Sequence, residues 1–452
     1  MVGSMHEEQN ELLSEAGQEQ QVKPAEMLFI NEFTDGIVGP ENEFLGPLRD
    51  GGTIIANTAP GCWGPMLTPT IKGRHEVTKP VYIEGAEVGD SIVVEIESIR
   101  ITSLATASGV EQYMGDRYIS DPFLKVKCPG CGKLHPQTIV NGIGPEAIRC
   151  TTCNNDTAPI KFAHGYTMAF HPKGKVGVTV GKEGARKIGI DPQRYLRLPE
   201  KSVQNPVVSM APSDLAGVTT RVRPFIAEIG TIPSKAIPAS HNAGDSGLLL
   251  VDADHELQIT EQELEIHRTD GHLHLPQVRE GAILICPVLV KGGGLYLGDI
   301  HAMQGAGQPA GHASNVSGIV QVKVSLLKKV KVEGPVLLPN EEDLPYLAKP
   351  FTKEERKQAR DIAEEFGMKQ LEEAFPIAVV GTGITINAAT DNALLRMAKL
   401  VEAPIEEVKN RVTLTGGVEI GRFPGLVLIT AQFPKTVLKN ARIFKYVKRQ
   451  YD

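Results

Sequence analysis

The sequence predicts a mainly β protein: a β-sandwich or barrel-like body, a smaller α+β part at the C-terminus and a zinc ribbon inserted in the body. Three observations carry that prediction. Short apolar runs separated by Gly, Pro and Asn fill residues 27–103 and 218–332, the pattern of strands joined by turns. Helical periodicity is confined to the region after Pro335. Four of the six cysteines fall between Cys128 and Cys153, a density that suits a metal-held insert.

Along the chain, residues 1–26 read as a disordered tail, rich in Glu and Gln with little to bury. The β-rich catalytic body spans 27–334. Within it, Ser91–Ile99 is a β-branched run ending in alternation, and 122–170 is the ribbon insert. Strand signals resume at Val218 and include Ala282–Val290 and the alternating Ser317–Val324. Residues 335–452 form the α+β part. There Thr352-Lys353-Glu354-Glu355 is a capping box, Ala359, Ile362, Ala363 and Phe366 share one helical face, and Gly367 is the stop. A second helix is expected over Asp391–Glu402, a third from Pro404, and a strand from Gly425 to Ala431.

Composition excludes several classes. Of 452 residues, 41% are hydrophobic and 22% charged, too apolar for a disordered chain. The longest apolar run is about ten residues, Gly281–Val290, against the roughly 20 that a bilayer requires. No membrane partner is expected. The net charge is −7, of which residues 1–24 hold −4, so the body is near neutral and does not match a nucleic acid backbone. No Lys/Arg cluster precedes an apolar stretch at the N-terminus, so a cytoplasmic protein is expected.

Cys128-Pro129-Gly130-Cys131 and, 18 residues on, Cys150-Thr151-Thr152-Cys153 form two knuckles that supply four thiolates to a tetrahedral zinc. A site filled by four cysteines is closed to substrate, so this zinc is structural. Gly181-Lys182 is followed by Glu183 and fails as a phosphate loop, and Gly381-Thr382-Gly383 lacks the third glycine of a dinucleotide fingerprint.

Two polar clusters follow strands on glycine-punctuated loops: Ser240-His241-Asn242-Ala243-Gly244-Asp245, and Gly298-Asp299-Ile300-His301-Ala302-Met303-Gln304-Gly305. His and Asp so placed can ligate a metal or act as a base and its orienter. His267, Asp270, His272 and His274 form a third group. Asp270-Gly271 suits a hairpin turn, and a solvated hairpin face is preferred there to a metal site. Cys62 lies in a loop and reads as a packed thiol before a nucleophile; Cys286 sits in an apolar strand and reads as core.

At these residues the sequence resembles the acetamidase/formamidase family. The resemblance rests on Thr78–Asp90, on the His241–Asp245 loop, on Tyr296–Gly305 and on Gln432–Val437. It implies hydrolysis of short linear amides such as formamide and acetamide to ammonia and a carboxylate, on a β scaffold that self-associates as a homo-oligomer. Carried over by position, Glu84, Asp299, His301 and Gln304 take catalytic roles, and Asn242 and Gly305 bind substrate. His241, Asp245, Asp299 and His301 are the ligands of a second divalent metal; a carboxylate acting as the base is the alternative. Ala306 and Gln308 stand where the family has carboxylates. A weakened member that binds a small amide or a protein partner is therefore the competing reading.

Overall fold

Apolar residues on both faces of several strands dictate a sheet covered on both sides, and that is the frame of the molecule. The computed structural model describes residues 24–61, 67–117, 121, 124, 126–205 and 207–452. The tail up to Lys23 and Cys62 lie outside the described residues. A ten-stranded sheet runs in the order 25–30, 45–58, 318–327, 91–101, 283–287, 336–338, 374–382, 426–434 and 417–422, with 81–83 paired to 45–58 off this path. In the 283–287 strand, Leu284 and Cys286 point into one core and Ile283 and Ile285 into the other. Cys286 is buried, as expected.

The first core lies between this sheet and a three-stranded sheet of Phe225–Gly230, Tyr296–His301 and Asn315–Val316. Ile226, Ile229, Leu297 and Ile300 interleave there with Ile54, Val94 and Leu284. This is the sandwich expected from the sequence. The second core covers the opposite face with helices Ile386–Val401, Ile405–Thr415, Lys435–Asn440 and Phe444–Tyr451. Pro404 stands as N-cap of the 405–415 helix.

Three differences from the sequence reading have physical causes. Residues 335–452 do not form a separate sheet, because strands 336–338, 374–382, 426–434 and 417–422 continue the main one. The segment Ile160–Phe170, assigned to the ribbon, is a strand between Ala105–Tyr113 and Val176–Val180 in a four-stranded sheet. Polar and apolar residues mix in it, so composition does not separate it from the insert. Lys353–Glu365 forms a helix with the Thr352–Glu355 capping box, yet only Ala359 and Ala363 are covered, and Ile362 and Phe366 stay exposed.

A buried ion cluster ties the helical part to the body. The Asp270 carboxylate accepts from Arg396 Nη2 at 2.5 Å, Arg268 Nε at 3.0 Å and Thr382 Oγ1 at 2.8 Å. Arg396 Nη1 donates to the Val380 carbonyl at 2.9 Å. Burial alone would raise the Asp270 pKa, but Arg396 and Arg268 bring it down to about 2.

Candidate active site

The Tyr296–His301 strand pairs with Phe225–Gly230 on one side and Asn315–Val316 on the other. Asp299 and His301 rise from its end, and Glu228 stands opposite Gly298 on the neighbouring strand. The buried segment 268–275 crosses this sheet, with a bridge from His272 to Glu228 and both Leu273 N and His274 N bonded to the Ala227 carbonyl. His75 enters from a segment anchored by Thr78 N on the Leu297 carbonyl. Asp299 and His274 both hold left-handed backbone, at φ 47° each, a strain that side chains tolerate where the surroundings over-determine them.

Four imidazoles surround the Asp299 carboxylate, and each has its Nδ1 beside a polar partner, an acceptor for His75, His274 and His301 and a serine hydroxyl for His272. His75 Nδ1 lies 2.6 Å from Glu228 Oε2 and His272 Nδ1 3.4 Å from Ser246 Oγ. His274 Nδ1 and His301 Nδ1 both lie 3.2 Å from Gln304 Oε1. Gln304 Nε2 is spent on the carbonyls of His274 and Gly421, which assigns Oε1 as the acceptor and fixes the proton on each Nδ1. The Nε2 lone pairs of His75, His274 and His301 therefore face inward. His301 Nε2 is 3.2 Å from Asp299 Oδ1, while His274 Nε2 and His75 Nε2 are 3.4 and 3.8 Å from Oδ2. His272 Nε2 and His274 Nε2 stand 2.7 Å apart.

Burial, then the charges of Arg422, His274 and His75, hold the His272 pKa well below the usual imidazole range. Burial and His301 do the same to His274. Burial would raise the Asp299 pKa, but His301, His75 and His274 hold it far below the usual carboxylate range. Asp299 Oδ2 and Glu228 Oε1 are buried without a hydrogen-bond partner, unmet acceptors that a cation would satisfy. These residues fit a divalent ion. His75, His272 and Asp299 form one ligand group and His274, Asp299 and His301 another, each with its ligand atoms within 4.8 Å. Two ions sharing Asp299 are the arrangement this geometry can hold. Gly61 packs so closely over Asp299 that a Cβ there would lie 1.9 Å from Oδ1; a side chain at that position would displace the carboxylate.

Arg422 flanks the cluster. Its Nε and Nη2 donate to the two oxygens of Asp245 at 2.9 and 2.6 Å, and its buried Nη1 has no partner. Asp245 precedes the Ser246 that faces His272, and Gly421 accepts from Gln304, so the guanidinium is wedged between the supports of three histidines.

The positions read from the sequence divide. Asp299, His301 and Gln304 come together, with Gln304 supporting the imidazoles. His241 and Asp245 do not join the ligand groups: His241 Nε2 lies 2.5 Å from Asp121 Oδ2, and Asp245 is consumed by Arg422. Asn242 binds Thr269 and Tyr296 through its carboxamide and so pins the 268–275 segment. Glu84 is exposed in the turn after strand 81–83, away from the cluster. Gly305 is exposed, with open space above its Cα. His272 and His274 are buried in the candidate ligand groups and do not lie on a solvated hairpin face, because Asp270 is drawn inward by Arg268 and Arg396. His75, Glu228 and Arg422 gave no sequence signal, being single polar residues far apart in the chain. The alternation His272-x-His274 was the one local cue to the ligands missed.

The ribbon lies elsewhere. Cys128 Sγ is 3.5 Å from Cys153 Sγ, and Cys131 Sγ 3.9 Å from Cys150 Sγ, close to the edge of about 3.8 Å for a tetrahedron with Zn–S near 2.3 Å. Each knuckle closes on a left-handed residue four positions after its first cysteine, Gly132 (φ 71°) and Asn154 (φ 56°). Val126 and Ile148 carry the ribbon onto Ala105, Ala107 and Ile160. Elemental analysis of Cys128→Ser is expected to show one zinc fewer per chain than the wild type; an unchanged zinc content would count against the four-cysteine site.

A family model described as the Acetamidase/Formamidase family matches residues 62–439. No curated protein shows a significant match. Among solved structures, the chain resembles a predicted acetamidase/formamidase from Thermoanaerobacter tengcongensis at TM-score 0.51 and 16% identity, covering 92% of this chain and 98% of that one. An acetamidase from Yersinia enterocolitica gives 0.50 and 17%, covering 93% and 96%. An acetamidase from Bacillus halodurans gives 0.50 and 17%, covering 93% and 99%. These likenesses agree in fold with the family match over most of the sequence, and the chain belongs to the acetamidase/formamidase family.

Proposed function

We propose that this chain hydrolyses linear, non-peptide amides to ammonia and a carboxylate at the Asp299 cluster. The observation that supports this most is the convergence of four imidazole Nε2 atoms on one buried carboxylate, with the Nδ1 of His75, His274 and His301 held from behind by acceptors. A divalent ion bound there would acidify water and polarise the amide carbonyl. Asp299, common to both ligand groups, would hold such an ion together with the imidazoles. Gln304 and Glu228 keep the imidazoles in the metal-binding tautomer. Arg422 Nη1, buried and unpartnered, faces the negative charge that develops on the carbonyl oxygen, and Asp245 holds it in place. The carboxamide of Asn315, across the strand pair from His301, is also buried with no partner for either atom and is available to a substrate amide.

The residues absent relative to the family do not dismantle this arrangement. Ala306 is exposed and Gln308 belongs to neither ligand group, so neither group depends on them. This favours an active enzyme over a disabled binder. Ammonia release from acetamide and formamide is expected to stop on treatment with a strong chelator, to return on adding a divalent cation, and to be lost in His301→Ala. Turnover that survives chelation would replace the metal by a carboxylate base.

A further inference from the structure

The helix Lys353–Glu365 is pinned at both ends and bare between them. Before it, Gln432 Nε2 donates to the Ala348 carbonyl at 3.1 Å. After it, Glu372 pairs with Arg411 and Glu373 with Lys435. Among the described residues, none of its side chains belongs to a hydrophobic cluster of the molecule. A helix of 13 residues is marginal on its hydrogen bonds alone and is ordinarily secured by packing an apolar face. Here Ile362 and Phe366, four residues apart on that face, are 59% and 74% exposed. The adjoining chain adds to it: Tyr346 is 82% exposed, and Leu347, Phe351, Met368 and Leu371 are each about half exposed. At roughly 200 Å² per large apolar residue, these seven leave roughly 850 Å² in water. Each partner in a standard protein interface buries about 800 Å².

The same helix is divided by charge. Its first eight residues hold Lys353, Arg356, Lys357 and Arg360, and the two carboxylates among them are engaged locally. Glu355 accepts from Thr352 N, and Glu354 from Gln358 Nε2. Its last five residues hold Asp361, Glu364 and Glu365 and no cation. Among the described residues, Lys357, Arg360 and these three carboxylates form no ion pair within the chain. A surface with opposite signs at its two ends matches a reversed copy of itself, the relation a two-fold axis imposes. We infer that this face is a two-fold interface, in which the helix packs antiparallel against the same helix of a second copy of this chain. Ile362 and Phe366 fill its centre, and the basic half of each helix lies along the acidic half of the other. The chain's own tail suits the face less well, because residues 1–24 carry a net −4 and would meet Asp361, Glu364 and Glu365. The inference does not depend on the amidase reading, since none of these residues belongs to the Asp299 groups.

The test is the mass of the full chain in solution, followed by sedimentation velocity over a concentration series. Phe366→Glu is expected to halve the wild-type mass and to raise the dissociation constant at least about thirtyfold, the effect of losing a central aromatic anchor. Phe366 is exposed in the single chain, so folding is not the variable. Two further variants read the charge pattern: Lys357→Glu with Arg360→Glu makes the helix acidic, and Asp361→Lys with Glu364→Lys makes it basic. Each is expected to self-associate at least about tenfold more weakly than the wild type, and an equimolar mixture of the two to recover assembly as a mixed pair. A wild type that stays monomeric at about 100 µM overturns the interface, as does assembly that Phe366→Glu leaves unchanged. A mixture no tighter than either variant alone overturns the antiparallel arrangement. If the wild type is monomeric and removing residues 1–23 speeds hydrogen exchange over 353–365, the face belongs to the chain's own tail and the second copy is excluded.

Discussion

Asp299→Asn is expected to lower amide turnover by on the order of 10³-fold or more, and to reduce the bound metal to the single ion of the ribbon. Asp299 belongs to both ligand groups, so one substitution removes a charged ligand from each. Asparagine has the same size and tolerates the left-handed backbone found there, so folding is not the variable. Elemental analysis alongside an ammonia-release assay checks both parts. Loss of activity with full metal content would mean that Asp299 works as a base. Gln304→Leu should act more mildly, costing about 10- to 100-fold in metal affinity, because it removes an acceptor behind two histidines while leaving all ligands in place.

The second large effect concerns the ion cluster under the site. Arg396→Leu leaves the buried Asp270 carboxylate with Arg268 as its remaining cation and removes the bond to the Val380 carbonyl. Breaking a buried pair from one side costs about 3–5 kcal/mol, to be read from the urea midpoint at constant slope. Arg396→Leu combined with Asp270→Asn should be less destabilising than the two single effects added, since the second change removes the stranded charge. Additive losses would show that Arg396 acts through its packing. Asp270 is two residues from His272, so the same variant should also loosen metal binding.

The elements of this fold with regular periodicity were legible in the sequence. The strands around Ile92–Ile96 and Val320–Val324 and the helix after Thr352 announce themselves by alternation or capping, both local properties. The continuity of the main sheet was not legible, because the pairing of Leu337 with Ala378 leaves no mark on either segment. The site divides along the same line. Asp299, His301 and Gln304 lie within six residues and could be read together. His75, Glu228 and Arg422 come from three distant segments, and the burial that brings them to the cluster is a property of packing. His272 and His274 failed for a different reason: an Asp-Gly pair normally turns toward solvent, and Arg268 together with Arg396 from a distant helix reverses it here.

The strand Gly318–Leu327 lies between Leu45–Thr58 and Ser91–Ile101, bonded to both. During synthesis, then, the first three hundred residues leave the ribosome with a vacant slot in the middle of their sheet. Two long strands present open edges there until residue 327 has emerged. Contacts of such long sequence separation slow folding and expose pairing edges meanwhile. The nascent chain is thus most vulnerable to edge-to-edge association late in translation, and completion of the sheet awaits a segment from its last third.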